Sequence, residues 1–304
     1  RLREMGLSTD FFKWVQKNYL FFRSAATEVL FTGYYEPLLR GSLTPHPPFC
    51  HPLHRRPDDL VAIDVKQFPY FRPGAGWPEQ TRGRLGLDRR IRPHWSRDQI
   101  DHQGFLAEKN LEIAWVDDPV ELFFLHVQGS GVIELDDGRR IRVGYDDQNG
   151  HPYRSIGRFL IDSGKLTREA ATLPGIRDYL CRHPLEVRDI LAQNPSYIFF
   201  RKIDGDGPLG SLGVPLTAGR SIAIDRTLIP LGALALIETE KPVLNEWGEI
   251  QGWEKFQRFV CNQDTGGAIR GPGRVDLFTG SGPTSEAIAG SMRQPGTFYL
   301  LVKK

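Results

Sequence analysis

The sequence predicts a mainly β fold with some helix, in which a small barrel or sandwich is interrupted by an inserted second β domain. Three observations carry this reading. Six short strand candidates follow Asn194-Pro195: Ile198–Arg201, Ser221–Ile224, Ala233–Glu238, Gln257–Cys261, Arg274–Phe278 and Phe298–Val302, punctuated by Gly and Pro. Glycine (32) and proline (22) are abundant in the 304 residues, as a turn-rich chain requires. The strand-like stretch Val29 to Glu36, stopped by Pro37, has no obvious partner before the C-terminal third. The expected division is therefore a discontinuous barrel from residues 1–42 and 201–304, with residues 43–200 inserted.

Taken in order, Ser8-Thr9-Asp10 caps an amphipathic helix expected to run to about Leu20. Residues 41–57, rich in Pro and His, read as an irregular connector, and 73–98, rich in Arg and Gly, as a long exposed loop. From Leu111 to Val143 the pattern is strand-like: Phe123–Gln128 reads as one strand, and Asp136-Asp137-Gly138 turns a hairpin. Helical segments are expected from Ser155, over Ile176–Cys181 and over Leu185–Ala192.

Composition narrows the function classes. Hydrophobic content of 40% and charged content of 25% are those of a soluble globular chain, and a net charge of +2 does not mark a nucleic-acid binder. No apolar run is long enough to span a bilayer. The chain begins at Arg1, so a processed or trimmed N-terminus is expected. Cys50, Cys181 and Cys261 form no CxxC and are expected to be buried free thiols.

The chemistry concentrates in the glycine-rich run 263–282. Asp276 lies between Val275 and Leu277-Phe278, and a carboxyl in so apolar a setting should hold its proton tightly, as a general acid must. The glycines leave room for a bulky substrate. Asp264 and Asp225 complete a set of three aspartates, for each of which turn capping is the competing explanation, least so for Asp276.

His46, Cys50, His51 and His54 match no closed zinc spacing, so neither metal nor cofactor is expected. Gln128-Gly129-Ser130-Gly131 leads into no dinucleotide fingerprint, and Ser130 sits in no nucleophile elbow. A β-turn with a polar edge suited to sugar hydroxyls is the better reading. Trp115, Tyr34, Tyr35, Tyr145 and Tyr153 could stack on sugars, against ordinary core packing for about half of them. Arginines 82, 84, 89, 90, 92 and 97 read as a solvated loop that could also attract an anionic polymer.

Five segments in order resemble one family over nearly the whole chain: Thr32–Pro37, Val127–Gly131, Gln148–Gly157, Pro215–Ser221, and Asp264–Ile269 with Gly273–Phe278. They look like the membrane-bound lytic murein transglycosylase A family. The resemblance implies a double-psi β-barrel with a second β domain inserted and a groove between them. It implies that Asp225, Asp264 and Asp276 are the three aspartates of a 3D domain, with Asp276 the catalytic acid. Glycan contacts would fall on Thr32, Gly33 and Tyr34, on Gln128, Gly129, Ser130 and Gly131, and on the turn from Asn149 to Tyr153.

The implied reaction cleaves the MurNAc–GlcNAc β-1,4 bond of peptidoglycan. The muramic acid C6 hydroxyl attacks in place of water, so one carboxyl can suffice where glycosidases use two. The implied partners are peptidoglycan strands, with room for other cell-wall enzymes and no nucleic acid. The implied setting is a monomer in a Gram-negative periplasm, anchored to the outer membrane through a removed lipoprotein segment. A barwin-like inverting hydrolase and a non-catalytic glycan-binding module are the alternatives. Two departures from the family pattern stand out. Tyr145-Asp146-Asp147 replaces Tyr-Ala-Gly before the Gln-Asn-Gly turn, adding acids there, and His51-Pro52-Leu53-His54 stands where aromatics are usual.

Overall fold

The structure, a computed structural model, describes residues 9–26, 28–68, 70, 80–205, 207–267 and 269–304. Ser8 of the expected helix cap, residues 73–79 of the expected loop and Ala268 of the glycine-rich motif lie outside them. The chain divides into two compact units, Arg1–Tyr35 with Leu209–Lys304, and Glu36–Pro208.

The first unit contains a closed ring of six strands. Its circuit runs Val29–Glu36, Arg293–Lys303, Leu234–Leu244, Ile250–Asp264, Ser221–Ala223, Arg274–Ser281 and back to Val29–Glu36. Ser221–Ala223 runs parallel to the end of Ile250–Asp264 and antiparallel to Arg274–Ser281, which sets Ala223 opposite Asp276. Closure removes the open edges that a flat sheet would expose. Inside the ring pack Val29, Phe31, Ile222, Ala235, Ile237, Val260, Val275, Leu277 and Phe298.

The helix Thr9–Asn18 ends before its expected limit, because Tyr19–Arg23 extends as a strand along Arg293–Lys303. It lays Phe11, Phe12 and Val15 on Leu236, Phe259 and Leu301, outside the ring. A helix not foreseen from the sequence, Pro283–Ser291, follows the Arg274–Ser281 strand.

The second unit is built on a six-stranded sheet in the order Ile198–Ile203, Arg140–Gln148, Ser130–Leu135, Leu38–Ser42, Glu112–Val116, His51–His54. The hairpin turn at Gly138 (φ 82°) forms as the sequence reads. Phe123–Gln128, however, is helical, within Pro119–Gln128. Asp118 accepts hydrogen bonds from the Val120 and Glu121 amides, Pro119 starts the helix, and Gly129 (φ 79°) ends it in the left-handed region. Leu122 and Leu125 pack on the sheet, while Phe123 and Phe124 pack among the helices Ile156–Asp162, Leu173–Arg182 and Val187–Ala192. A helix buried on two sides carries no amphipathic stripe, so its sequence imitates a strand.

Three further expectations give way. The connector 41–57 contains the His51–His54 strand, paired with Glu112–Val116. The arginine-rich stretch is not one exposed loop: Gln80–Leu85 forms a sheet with Leu60–Asp64 and Ile91–Arg92. Its arginines find specific partners there. Arg84 lies 3.7 Å over the Trp95 ring, and buried Arg97 donates to the Ser196 carbonyl at 2.8 Å. The cysteines are free but not buried: Cys50 and Cys181 are exposed and Cys261 is half-buried. Cys50 sits in a turn region and Cys181 on an outer helix face, so burial tendency alone misplaced them.

Buried histidines add a polar core to this unit. His126 Nδ1 lies within hydrogen-bonding distance of Arg97 and the Ile198 amide, and His54 Nδ1 pairs with the Tyr197 hydroxyl at 2.8 Å. Burial lowers His54 and His94 to about 4, and holds His126 well below the usual range. The unfolded chain therefore binds more protons than the folded one between roughly pH 4 and pH 6.5, and stability is lost as pH falls through that window. Thermal unfolding followed from pH 7.5 to pH 5 should show a falling Tm, and His54→Gln should flatten that fall. Phe31→Ala, which empties a fully buried site in the ring, should cost about 3–5 kcal/mol in denaturant unfolding.

Candidate active site

Side-chain alternation along the ring sorts its residues into two faces. Val275 and Leu277 enter the core, so Arg274 and Asp276 point outward. On the neighbouring strand Val29 and Phe31 enter the core, so Thr32 and Tyr34 point outward. The apolar neighbours that first single out Asp276 thus lie on the opposite face from its carboxyl. Its surroundings come from the adjacent strand instead.

Thr32 Oγ1 donates to Asp276 Oδ1 at 2.6 Å, and Arg274 Nη2 donates to Thr32 Oγ1 at 3.3 Å. The Tyr34 ring packs against Phe278, with centroids 5.3 Å apart. Asp276 keeps part of its surface open, yet the atoms crowded around it deprive its charge of water. Burial therefore raises its pKa to about 6. The Thr32 bond and the Arg274 charge oppose the rise, and the Asp264 charge adds to it. Such a carboxyl carries a proton into near-neutral solution and remains reachable.

Asp264 has the opposite character. Its Oδ1 accepts from the Ser211 amide (3.0 Å), the Ser211 hydroxyl (2.8 Å) and the Thr265 amide (2.9 Å), and its Oδ2 accepts from the Tyr34 hydroxyl (3.1 Å). Four donors fix this carboxyl in place and let it orient its neighbours. Burial, then the Asp264 charge, pushes the Tyr34 phenol well up, so it remains a donor.

Asp225 caps a turn. Its Oδ1 accepts from the Thr227 amide and hydroxyl and its Oδ2 from the Gly271 amide, with the Thr227 hydroxyl the main cause of its lowered pKa. None of these bonds reaches Asp264 or Asp276.

Gly33 serves close packing. A Cβ there would lie 2.7 Å from Ala289 Cα, so the glycine lets the Pro283–Ser291 helix press on the strand beside Thr32 and Tyr34. Arg274 and Ser211 went unnoticed in the sequence. Ser211 lies 53 residues from Asp264, and nothing local links them.

In the second unit, Gln128 to Gly131 form a helix-to-strand corner rather than a β-turn. Gln128 ends the helix, Gly129 is its left-handed cap, and Ser130 and Gly131 begin the strand Ser130–Leu135. Gly131 is a packing position, since a Cβ would meet Leu125 Cδ1 at 2.5 Å. Asn149 is 1% exposed and committed to scaffolding. Its Nδ2 donates to the Trp95 and Pro195 carbonyls, and its Oδ1 accepts from the Tyr197 and His151 amides. Tyr153 and Tyr145 are exposed, Trp115 is half-buried, and Tyr35 is core.

The extra acid Asp147 is buried and paired with Arg82 at 2.9 Å, which cancels its charge locally. His54 is engaged by Tyr197, and among the described residues no group of three or more His, Cys, Asp or Glu is placed to hold a metal.

Residues 30–201 match the MltA specific insert domain, and residues 220–302 match the 3D domain. Membrane-bound lytic murein transglycosylase A of Escherichia coli K12 is 33% identical over 275 residues, covering 90% of this chain. The chain spans 65% of the length of that relative. A membrane-bound lytic murein transglycosylase structure from Agrobacterium tumefaciens superposes with a TM-score of 0.84 at 36% identity, covering 99% of this chain and 82% of the other. The structure of E. coli MltA with bound chitohexaose superposes at 0.72 with 31% identity, covering 91% and 72%.

Asp276 holds its proton more tightly in the folded chain than in the unfolded one. Stability therefore falls as pH rises from about 4 to about 6 and stays reduced above. Asp276→Asn should raise stability at pH 7.5 by on the order of 1–2 kcal/mol, a gain that vanishes near pH 4. Chemical denaturation at the two pH values measures it. Asn149→Ala should cost about 2–3 kcal/mol, read the same way, through the donors it strands.

Proposed function

We propose that this chain, which belongs to the membrane-bound lytic murein transglycosylase A family, cleaves the MurNAc–GlcNAc bond of peptidoglycan and leaves 1,6-anhydromuramic acid ends. Asp276 acts alone as acid and then base. Its proton passes to the glycosidic oxygen as the bond to the anomeric carbon breaks. The muramic acid C6 hydroxyl attacks that carbon, and its proton returns to Asp276. The nucleophile belongs to the substrate, so it is held close to the carbon it attacks and needs no second carboxylate to activate water.

The observation that carries this reading is the contrast between the two carboxylates. Asp276 is partly open, has one hydroxyl partner and is raised to about 6, the range in which a general acid works at near-neutral pH. Asp264 is surrounded by four donors and is poorly placed to serve as a base for water. This favours the transglycosylase over an inverting hydrolase, which needs both. Asp264 supports the site by fixing Tyr34 and Ser211, while Asp225 supports it only through the turn before Ile229.

Chitohexaose in a relative supports an amino-sugar chain as substrate. Thr32, Gly33 and Tyr34 in one unit, and the Gln128–Gly131 corner and the Asn149–Tyr153 turn in the other, are the proposed contacts. Asn149 acts there by shaping backbone, and Tyr153 by offering its ring. The membrane-bound description of the relatives supports a place at the bacterial envelope. Among the described residues no helix is long and apolar enough to cross a membrane.

Asp276→Asn should lower turnover on purified sacculi by about 10²–10⁴-fold. Mass spectrometry of wild-type products should show ends one water lighter than hydrolysis gives. Water-bearing ends, or near-normal turnover by the variant, would reject the assignment. In wild type, kcat/KM should decline above about pH 6, as the acid loses its proton.

A further inference from the structure

Arg274 is an arginine with an unusual setting. It is half-buried, and among the described residues no carboxylate pairs with it. Its Nε is buried without a hydrogen-bond partner. A buried Nε–H left without an acceptor is costly and calls for an explanation. Its one side-chain hydrogen bond is the donation from Nη2 to Thr32 Oγ1, whose hydroxyl in turn donates to Asp276 Oδ1.

The direction of these bonds matters. A threonine hydroxyl has one hydrogen and two lone pairs, and a guanidinium can only donate. With Arg274 occupying a lone pair of Thr32, the hydroxyl hydrogen is turned away from the arginine and towards the carboxyl. Asp276 Oδ1 then accepts, and a proton on Oδ1 would collide with the hydrogen already there. Arg274 and Asp276 lie two residues apart on one strand, on the same outward face, so strand geometry holds the donor chain in register.

We infer that Arg274 is a positioning residue for the proposed reaction: by donating to Thr32 it aims the Thr32 hydroxyl at Asp276 Oδ1 and reserves Oδ2 for the proton that is transferred. The inference rests on the reading of Asp276 as acid and base. Oδ2–H gives its proton to the leaving oxygen, and the same oxygen takes the C6 hydroxyl proton as the anhydro ring closes. Thr32 keeps its own hydrogen throughout. The positive charge also opposes the effect of burial on the Asp276 pKa in the free protein.

Arg274→Met, Thr32→Val, Thr32→Ser and the Arg274→Met/Thr32→Val double variant test this. Each is assayed for kcat and KM on purified peptidoglycan and titrated by ¹³C NMR of the Asp276 carboxyl in the free protein. Arg274→Met and Thr32→Val should each lower kcat about 10-fold with little change in KM, and the double variant should lose no more than Thr32→Val alone, because Arg274 aims Asp276 through that hydroxyl. Thr32→Ser should recover most of the turnover. The Asp276 midpoint should move up in Arg274→Met.

Losses that multiply in the double variant, an effect confined to KM, or an unmoved Asp276 midpoint would overturn the inference. If Arg274→Met does not fold, Arg274→Gln is read in its place. The NMR titration needs no turnover, so the charge relation is tested even if wild type proves to form no anhydro product, a result that would sink the proposed reaction instead.

Discussion

The insertion of Val29–Glu36 between Arg274–Ser281 and Arg293–Lys303 is the constraint on which the rest of the structure depends. It closes the ring, supplies Val29 and Phe31 to the core, and sets Thr32 and Tyr34 beside the two central aspartates. The partners are more than 200 residues apart in sequence, yet loop-closure entropy grows only logarithmically with length. The intervening second unit, with its own sheet and cores, shortens that loop further by folding as a compact body. One strand therefore joins the closure of the barrel to the hydrogen bonds made by Asp264 and Asp276.

Three aspartates of identical intrinsic acidity are separated by their partners. Four donors hold Asp264, a turn hydroxyl and amides hold Asp225, and a single hydroxyl with a nearby guanidinium holds Asp276. The carboxyl with the fewest donors is the one whose proton is retained. The burial that raises its pKa costs stability at neutral pH. The second unit carries a burden of opposite sign in its buried neutral histidines, which favour neutral over acidic solution.

Much of this was legible in the residues. The short strands after Asn194 follow from local pattern, since period-two alternation and Gly/Pro punctuation are local properties. Failures had equally definite causes. Phe123–Gln128 is apolar on all sides because two cores bury it, which erases helical periodicity. The arginine-rich stretch reads as a solvated loop because two of its partners, Asp147 and the Ser196 carbonyl, lie elsewhere in the chain. For Gly33 and Gly131, expected as glycan contacts, the structure adds a packing role that no local pattern reveals.

The sequence by itself singled out Asp276 as the aspartate least explained by turn capping. Only the tertiary structure decided why that carboxyl keeps its proton. Val275 and Leu277, its neighbours in sequence, point into the barrel, because successive residues of a strand face opposite sides. Its neighbours in space are Thr32, Tyr34 and Arg274, two of them brought from the other end of the chain. Desolvation and hydrogen bonding act through space, and so the character of Asp276 was set by the strand beside it rather than by the residues on either side.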